Sequence, residues 1–192
     1  MKILFINASP KPNGNVSQML KEMREVALQG GHEVEYVRTA TLDIKHCTGC
    51  MYCRKHLECI LPEDDAQHVL QKINDANLLI IGAPCYWGNI PGELKILFDR
   101  IVYGMMGESK RGIPMGLHKG RRAFVVTTCT TPYPFNILFR QTRGVVKALR
   151  EILGYSGFKF AGAIQRGGTK NKPLTERDLQ RSRKMAHKIM RC

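Results

Sequence analysis

Residues 77–83, NLLIIGA, form the most apolar short stretch of the chain, and they decide the fold. A charge-free run of this length predicts a strand that is covered on both faces, as in the centre of a parallel sheet. On either side of it, strand patterns alternate with helix patterns. The remaining strands are predicted over residues 2–8, 33–39, 122–128 and 158–164. Helices are predicted over residues 15–29, 63–76, 91–103, 136–153 and 173–190.

Five strands that alternate with five helices predict an α/β fold, a doubly wound five-stranded parallel sheet with helices on both faces. The 192 residues suffice for one domain over residues 1–192. Ligands of such sheets bind beyond the carboxyl ends of the strands. The loops after Ala8, Ala83 and Thr128 are therefore the candidate site. The Gly-rich stretch 104–120 is expected to be a loop, either a mobile lid over this site or an ordinary connection.

The composition narrows the classes of function. No apolar run approaches the ~20 residues that span a bilayer, and we expect neither a membrane span nor a signal peptide, which favours the cytoplasm. The formal net charge of +14 is uneven: residues 1–100 hold 11 Lys/Arg against 12 Asp/Glu, and residues 101–192 hold 19 against 4. A basic half indicates either an anionic partner, such as an acidic redox protein, or solvated helix faces. Because no recognition motif is present, we expect no nucleic acid partner.

The first candidate loop, residues 7–17, reads NASPKPNGNVS and joins the first strand to the first helix. The hydroxyls of Ser9 and Ser17, the Asn15 side chain and the free N–H groups at the helix start are all able to donate to one phosphate. Gly14 allows a close approach of the backbone. The loop has neither GxGxxG nor GxxxxGK[ST], so neither a dinucleotide Rossmann site nor a P-loop ATPase is supported. Taken alone, the same residues also fit a plain turn with capping side chains.

The second candidate loop, residues 84–92, reads PCYWGNIPG and follows the central strand. It holds Tyr86 and Trp87, which is the only tryptophan of the chain. Aromatic side chains beside backbone N–H groups suit a flat ring system with polar heteroatoms. We therefore expect a planar ligand at this loop.

Together, ASPKPNGNVS and APCYWGNIPGELKILFDR resemble the phosphate-loop and ring-loop patterns of the flavodoxin-like NADPH-dependent FMN reductase superfamily. The resemblance covers nearly the whole chain and implies a flavodoxin-like fold with strand order 2-1-3-4-5. It implies FMN as cofactor and NAD(P)H as co-substrate. Where many relatives carry Thr, this chain carries Val16, which removes one hydroxyl from the phosphate loop.

The resemblance also assigns the cofactor-binding residues. The FMN phosphate is assigned to the first loop, at Ser9, Lys11, Asn13, Asn15, Val16 and Ser17. The isoalloxazine ring is assigned to the second loop, at Pro84, Cys85, Tyr86, Trp87, Gly88 and Asn89. A third segment, with Thr128 and Cys129, is assigned to the ring as well. No catalytic side chain is expected, because FMN carries the chemistry.

Four of the seven cysteines lie in a loop over about residues 45–62, namely Cys47, Cys50, Cys53 and Cys59. Such clustering indicates metal or redox chemistry before disulfides. Three cysteines at successive two-residue gaps fit an iron–sulfur cubane better than structural zinc, which usually uses two separated pairs. The motif resembles that of the iron–sulfur flavoproteins, a branch of the same superfamily, which implies a 4Fe-4S cluster beside FMN. A loop without a cluster, zinc and a disulfide remain open alternatives.

The sequence thus predicts an FMN-dependent oxidoreductase of the NAD(P)H-dependent FMN or quinone reductase kind. The expected electron acceptor is a small quinone-like molecule or an acidic redox protein. The alternative is a non-enzymatic electron-transfer iron–sulfur flavoprotein that exchanges electrons with ferredoxin. The resemblance further implies a homodimer or homotetramer.

Overall fold

A computed structural model describes residues 1–191, and Cys192 lies outside the described residues. Five parallel strands form the main sheet in the order β2-β1-β3-β6-β7, which is the predicted 2-1-3-4-5 arrangement. The seven strands of the described chain are β1 Lys2–Asn7, β2 Glu33–Arg38, β3 Leu78–Pro84, β4 Met106–Glu108, β5 Pro114–Gly116, β6 Arg122–Thr128 and β7 Lys159–Arg166. The α/β fold class expected from the alternating pattern is confirmed.

Eight α-helices and one short 3₁₀-helix connect the strands of the described residues. The helices are α1 Asn15–Gln29, α2 Tyr52–His56, α3 Asp65–Asp75, α4 Gly92–Arg100, α5 Val102–Met105, α6 Phe135–Leu138, α7 Gln141–Tyr155 and α8 Glu176–Met190. The 3₁₀-helix is Thr39–Thr41. Two of these helices begin with a capping box. The side chain of Asp64 accepts a hydrogen bond from a backbone N–H of α3, and the side chain of Thr175 accepts one from a backbone N–H of α8.

The central strand, β3, contributes side chains to two hydrophobic cores, one on each face of the sheet. Leu79 and Ile81 of β3 point into the core formed with α3, α4 and α7. Leu78 and Ile80 point into the core formed with α1 and α8. Because successive side chains of a strand face opposite ways, an uninterrupted apolar run supplies both cores at once.

The predicted helix over 136–153 is wrong as one element, because the chain breaks it into α6 and α7. Arg140 has a φ of 55°, in the left-handed region that no helix interior adopts. The apolar period runs on through Leu138 and Phe139, but both side chains are exposed. The helical period of apolar residues therefore continues through Arg140, where the backbone ends one helix and begins the next.

The stretch 104–120 is not the wholly irregular loop that its glycines predict. It contains the end of α5 and an antiparallel pair of strands, with Met106 opposite Gly116 and Glu108 opposite Pro114. Gly116 anchors this hairpin, since a Cβ added there would lie 2.3 Å from the backbone nitrogen of Gly157. The glycine thus serves a close backbone approach rather than flexibility.

The cysteine loop also contains ordered structure. Its helix α2 is one turn long and is flanked by Met51 and Leu57, both with positive φ. Within residues 1–191, no helix combines the length and the apolar character needed to cross a bilayer.

Candidate functional site

The three loops singled out in the sequence leave the same edge of the sheet. Strands β1, β3 and β6 are neighbours, with Asn7 paired to Gly82 and Pro84 paired to Thr128. Past the strand ends, the Ala8 N–H donates to the Gly82 carbonyl at 2.8 Å. The Cys85 N–H donates to the carbonyl of Thr128 at 2.9 Å. The first, second and third loops therefore start side by side.

A buried asparagine holds the first loop in place. Asn7 is fully buried, and its side-chain nitrogen donates to the Ser17 hydroxyl and the Tyr36 hydroxyl, at 2.8 Å each. Its side-chain oxygen accepts from the Ser9 N–H at 2.9 Å. One side chain thereby joins β1, β2, the loop and α1. The sequence analysis did not single out Asn7 or Tyr36 as site residues.

The two serine hydroxyls of the loop converge on one backbone oxygen. Ser17 donates to the Lys11 carbonyl at 2.8 Å, and Ser9 donates to the same oxygen at 3.2 Å. Both serines are buried. Gly14 allows this tight curve, because a Cβ there would lie 3.1 Å from the Ser9 hydroxyl oxygen. Binding of an anion by these hydroxyls would require them to exchange the Lys11 carbonyl for the ligand.

The start of α1 supplies further donors. Its N-cap is Gly14, so no side chain caps the helix, and its first turn holds no acidic residue. The N–H groups of Asn15, Val16 and Ser17 belong to the first turn, where a helix offers no internal acceptor. Val16 offers only this N–H, since its side chain is buried in the core. The donor set fits a phosphate group, and the exposed Lys11 and Asn13 lie at its rim.

The second loop is a tight turn with an aromatic tip. Tyr86 and Asn89 exchange two backbone hydrogen bonds, of 3.0 and 2.9 Å. The two residues between them, Trp87 and Gly88, both have positive φ, the signature of a type I′ turn. Trp87 is fully exposed and Tyr86 is 45% exposed. The turn thus offers flat apolar surface at the edge of the sheet.

Helix α7 supports this turn from behind. A Cβ added at Gly144 would lie 1.8 Å from the carbonyl oxygen of Gly88, so the helix must present a glycine there. The thiol of Cys85 donates to the side-chain oxygen of Gln141 at 3.5 Å. Sequence reasoning missed Gln141 and Gly144, because it placed both inside a longer helix and gave neither a role.

The third segment is tied into the sheet edge. Thr128 and Cys129 are both buried. The Cys129 N–H donates to the Arg166 carbonyl at 3.0 Å, and its thiol donates to the Thr131 carbonyl at 3.4 Å. Burial raises the pKa of the Cys129 thiol and also that of Cys85. Both thiols are therefore protonated at neutral pH.

The four clustered cysteines line one cavity of about 160 Å³. Cys47 and Cys50 are exposed, whereas Cys53 and Cys59 are partly buried. The wall opposite the cysteine loop comes from the end of α4, from α5 and from β4, where Arg100, Tyr103 and Met106 lie. The spacing in the sequence thus corresponds to convergence in space.

The thiols of this cavity have different surroundings. Burial raises the pKa of Cys53, and the nearby Cys59, Cys47 and Cys50 raise it further. The Tyr52 N–H and the Thr48 hydroxyl lower the pKa of Cys50. The guanidinium of Arg100 donates to the sulfur of Cys59. Arg100 is a further residue that the sequence did not single out.

Within residues 1–191, no three His, Cys, Asp or Glu side chains lie close enough together to hold one metal ion. A single zinc ion needs all its sulfur ligands ~2.3 Å from one point. A 4Fe-4S cluster binds each thiolate to a different iron, so its ligands surround a larger body. The four cysteines around this cavity supply the number of thiolates that such a cluster binds.

Comparisons with known proteins agree with this architecture. The model of a family described as a flavodoxin-like fold matches residues 1–189, and the chain belongs to that family. The crystal structure of an FMN-dependent NADH-azoreductase from Bacillus anthracis in complex with FMN superposes with a TM-score of 0.79. It shares 19% sequence identity over 99% of each chain. The expected flavodoxin-like membership is confirmed.

Curated relatives add two further descriptions. An iron-sulfur flavoprotein from Methanocaldococcus jannaschii is 33% identical over 100 residues, 52% of this chain and 51% of that protein. An FMN-dependent NADH:quinone oxidoreductase from Stenotrophomonas maltophilia is 29% identical over 132 residues, 67% of this chain and 66% of that protein. The chain spans about half the length of the first curated relatives that it matches.

The close approach at Gly144 predicts that Gly144→Ala displaces the Trp87–Gly88 turn. We expect a loss of about 1–3 kcal/mol in the free energy of unfolding, because backbone must shift to admit the methyl group. FMN affinity should fall as well. Gly154→Ala is the matched control, since it lies in the same helix with open space around its Cβ position and should be neutral or stabilising. Urea denaturation and FMN titration measure both; equal results for the two variants would contradict the supporting role of α7.

Proposed function

We propose that this chain is an FMN-dependent oxidoreductase that passes electrons from NAD(P)H to a small quinone-like acceptor in the cytoplasm. The observation that carries the proposal is the convergence of three loops at the carboxyl edge of β1, β3 and β6. One of them is rich in phosphate donors and another is tipped by aromatic side chains. The relatives described as FMN-dependent reductases support the same assignment.

The first loop would hold the FMN phosphate. Ser9 and Ser17 would donate their hydroxyls, and the N–H groups of Asn15, Val16 and Ser17 would point along the axis of α1 towards the anion. Lys11 adds a positive charge at the rim, and Asn13 lies beside it. Asn7 holds the two serines through one hydrogen bond to each, and a third bond ties Asn7 itself to Tyr36. The serines are therefore held in place before the ligand arrives, and only their hydroxyls must turn from the Lys11 carbonyl to the phosphate, which lowers the entropy lost on binding.

The second and third loops would contact the isoalloxazine ring. Tyr86 and Trp87 offer flat apolar surface, and Gly88 and Asn89 belong to the turn beside it. Pro84, Cys85, Thr128 and Cys129 line the strand ends below. When bound, FMN supplies the chemistry, accepting a hydride and returning electrons singly or in pairs. The chain's own residues bind and orient it, and we assign none of them a catalytic role.

The cysteine cavity would hold a 4Fe-4S cluster with Cys47, Cys50, Cys53 and Cys59 as ligands. A cluster of this kind exchanges one electron at a time. The convergence of the four cysteines on one cavity supports this assignment, as does the description of the archaeal relative. The partly buried Cys53 and Cys59 would shield one side of the group from water.

A second candidate function is electron exchange with a redox protein such as a ferredoxin, since a cluster in the cysteine cavity would transfer single electrons. The exposed Arg140 and Arg143 lie at the start of α7, next to the turn that carries Trp87. Positive charge near an electron-exchange site attracts acidic partners.

Exposed apolar side chains nearby, such as Tyr133 and Phe139, support the expected homodimer or homotetramer, which stays a prediction.

Purified protein should take up FMN stoichiometrically and oxidise NAD(P)H in the presence of menadione. The reason is that a small acceptor needs access only to the bound ring. Steady-state kinetics with NADH and NADPH measure this activity. FMN uptake without turnover of either nucleotide would favour the electron-transfer candidate, and a folded protein that binds no FMN at micromolar concentrations would contradict both.

The variant Ser9→Ala/Ser17→Ala should bind FMN more weakly while its affinity for riboflavin barely changes. Each lost charge-assisted hydrogen bond to the phosphate costs about 1.5–3 kcal/mol, and riboflavin has no phosphate. Fluorescence titration of both ligands makes riboflavin the control within one experiment. Equal weakening of the two would show that the loop does not hold the phosphate.

Protein prepared without air should contain iron and acid-labile sulfide near four of each per chain, the stoichiometry of a cubane cluster. Cys50→Ser should lose most of the iron and keep FMN, because the phosphate and ring loops lie elsewhere. Cys129→Ser is the control, since Cys129 lies outside the cysteine cavity and should not affect iron. Elemental analysis measures the iron and sulfide, and FMN titration measures the bound flavin. Equal iron loss in both variants would contradict the ligand assignment.

A further inference from the structure

The end of α4 buries a positive charge beside the cysteine cavity. The side chain of Arg100 is 0% exposed, and it is among the largest fully buried side chains of the described residues. Burial of a charge is costly unless partners compensate it. The partners of Arg100 therefore indicate why a cation lies there.

Two of these partners are expected ones. The Nη2 group donates to the Asp64 carboxylate at 2.8 Å and to the Pro62 carbonyl at 3.3 Å. Asp64 has other partners besides Arg100, since its carboxylate also accepts hydrogen bonds from the backbone N–H groups of Ala66 and Lys45, at 3.0 and 3.1 Å. The negative charge that faces Arg100 is thus shared with the cap of α3.

The third partner is a sulfur. The Nη1 group of Arg100 donates to Cys59, the cysteine that stands apart from the other three in the sequence. In residues 1–191 the Nε of Arg100 is buried without any hydrogen-bond partner. A thiol is a weak acceptor, whereas a thiolate, free or bound to iron, accepts a charge-assisted bond. The guanidinium is suited to an anionic sulfur.

We propose that Arg100 is a positioning residue that fixes Cys59 as a cluster ligand and raises the reduction potential of the 4Fe-4S cluster. This inference rests on the cluster assigned to the cavity above. Hydrogen bonds to ligand sulfurs and the net charge around a cluster set its potential. One-electron reduction by a reduced ferredoxin-class protein adds one negative charge to the cavity and moves no proton. The charge of Arg100 favours that reduced form, and the charge of Asp64 disfavours it.

Arg100 and Asp64 form one ion pair but act on the potential with opposite signs. Arg100→Gln removes a positive charge and a hydrogen bond to sulfur, so it should lower the potential. Asp64→Asn removes a negative charge and leaves Arg100 facing Cys59, so it should raise the potential. Asn is also a good N-cap, which keeps α3 in place. Loss of the ion pair as a purely structural contact would destabilise both variants without moving their potentials in opposite directions.

The test is a potentiometric titration of the anaerobically reconstituted, FMN-loaded protein, followed by visible absorbance and electron paramagnetic resonance. At one fixed ambient potential, we expect the ratio of reduced to oxidised cluster to fall at least tenfold in Arg100→Gln, a shift of about 59 mV for a one-electron couple. The ratio should rise in Asp64→Asn. Arg100→Lys keeps the charge but not the forked geometry and should lie between Arg100→Gln and the parent.

Unshifted potentials in clusters that are fully assembled would overturn the role of Arg100 and leave the proposed function intact. Shifts of the same sign in Arg100→Gln and Asp64→Asn would also overturn it. A parent protein that binds FMN and oxidises NAD(P)H but takes up no iron and sulfide would overturn both the cluster and this inference, while the reductase assignment would stand. The potential of bound FMN serves as the internal reference and should stay constant.

Discussion

The burial of β3 on both faces is the constraint on which the rest of the molecule depends. Its side chains point alternately into the two hydrophobic cores, so helices must cover both faces of the sheet. Because the strands are parallel, each connection must carry the chain back to the edge of the sheet at which every strand begins. Gly82 then admits α1 closely, since a Cβ there would lie 2.5 Å from Leu20. This approach holds the start of α1 against the ends of β1 and β3. The donor-rich loop is consequently a product of core packing.

The sequence was sufficient wherever a structure depends on local pattern. The bounds of α1 and β6 agree with prediction, and the other strands of the main sheet agree to within two residues at each end. The break before α7 was missed because Arg140 carries no local signal for a left-handed backbone, and Leu138 and Phe139 extend the apolar period although exposed. The hairpin at Met106–Glu108 was missed because its glycines serve close packing, which only the partner Gly157 makes visible.

At the site, the same distinction separates what was predicted from what was not. Strand ends and loop composition are local, so the three loops and the four cysteines could be named in advance. The residues that hold them are joined by long-range contacts: Asn7 to Tyr36, Gly144 to Gly88, Arg100 to Asp64 and Cys59. Each of these pairs is separated by 29 residues or more, and no periodicity connects them. Sequence patterns thus identified the candidate ligand contacts, while their support required the fold.

Helix α4 ties the two proposed redox sites together. It begins just after Asn89 and Ile90 of the ring loop and ends at Arg100 in the cysteine cavity. A groove of about 300 Å³ runs along it, from Asn89 to Val102 and Met106, and the last two also line the cysteine cavity. Nine residues at ~1.5 Å each place the helix ends about 13 Å apart. Because Leu94, Leu97 and Phe98 fix the helix in the core, this separation is set by packing. Electrons passing between the two sites would therefore need no conformational change, and a substitution of Leu94, Leu97 or Phe98 would disturb both sites at once.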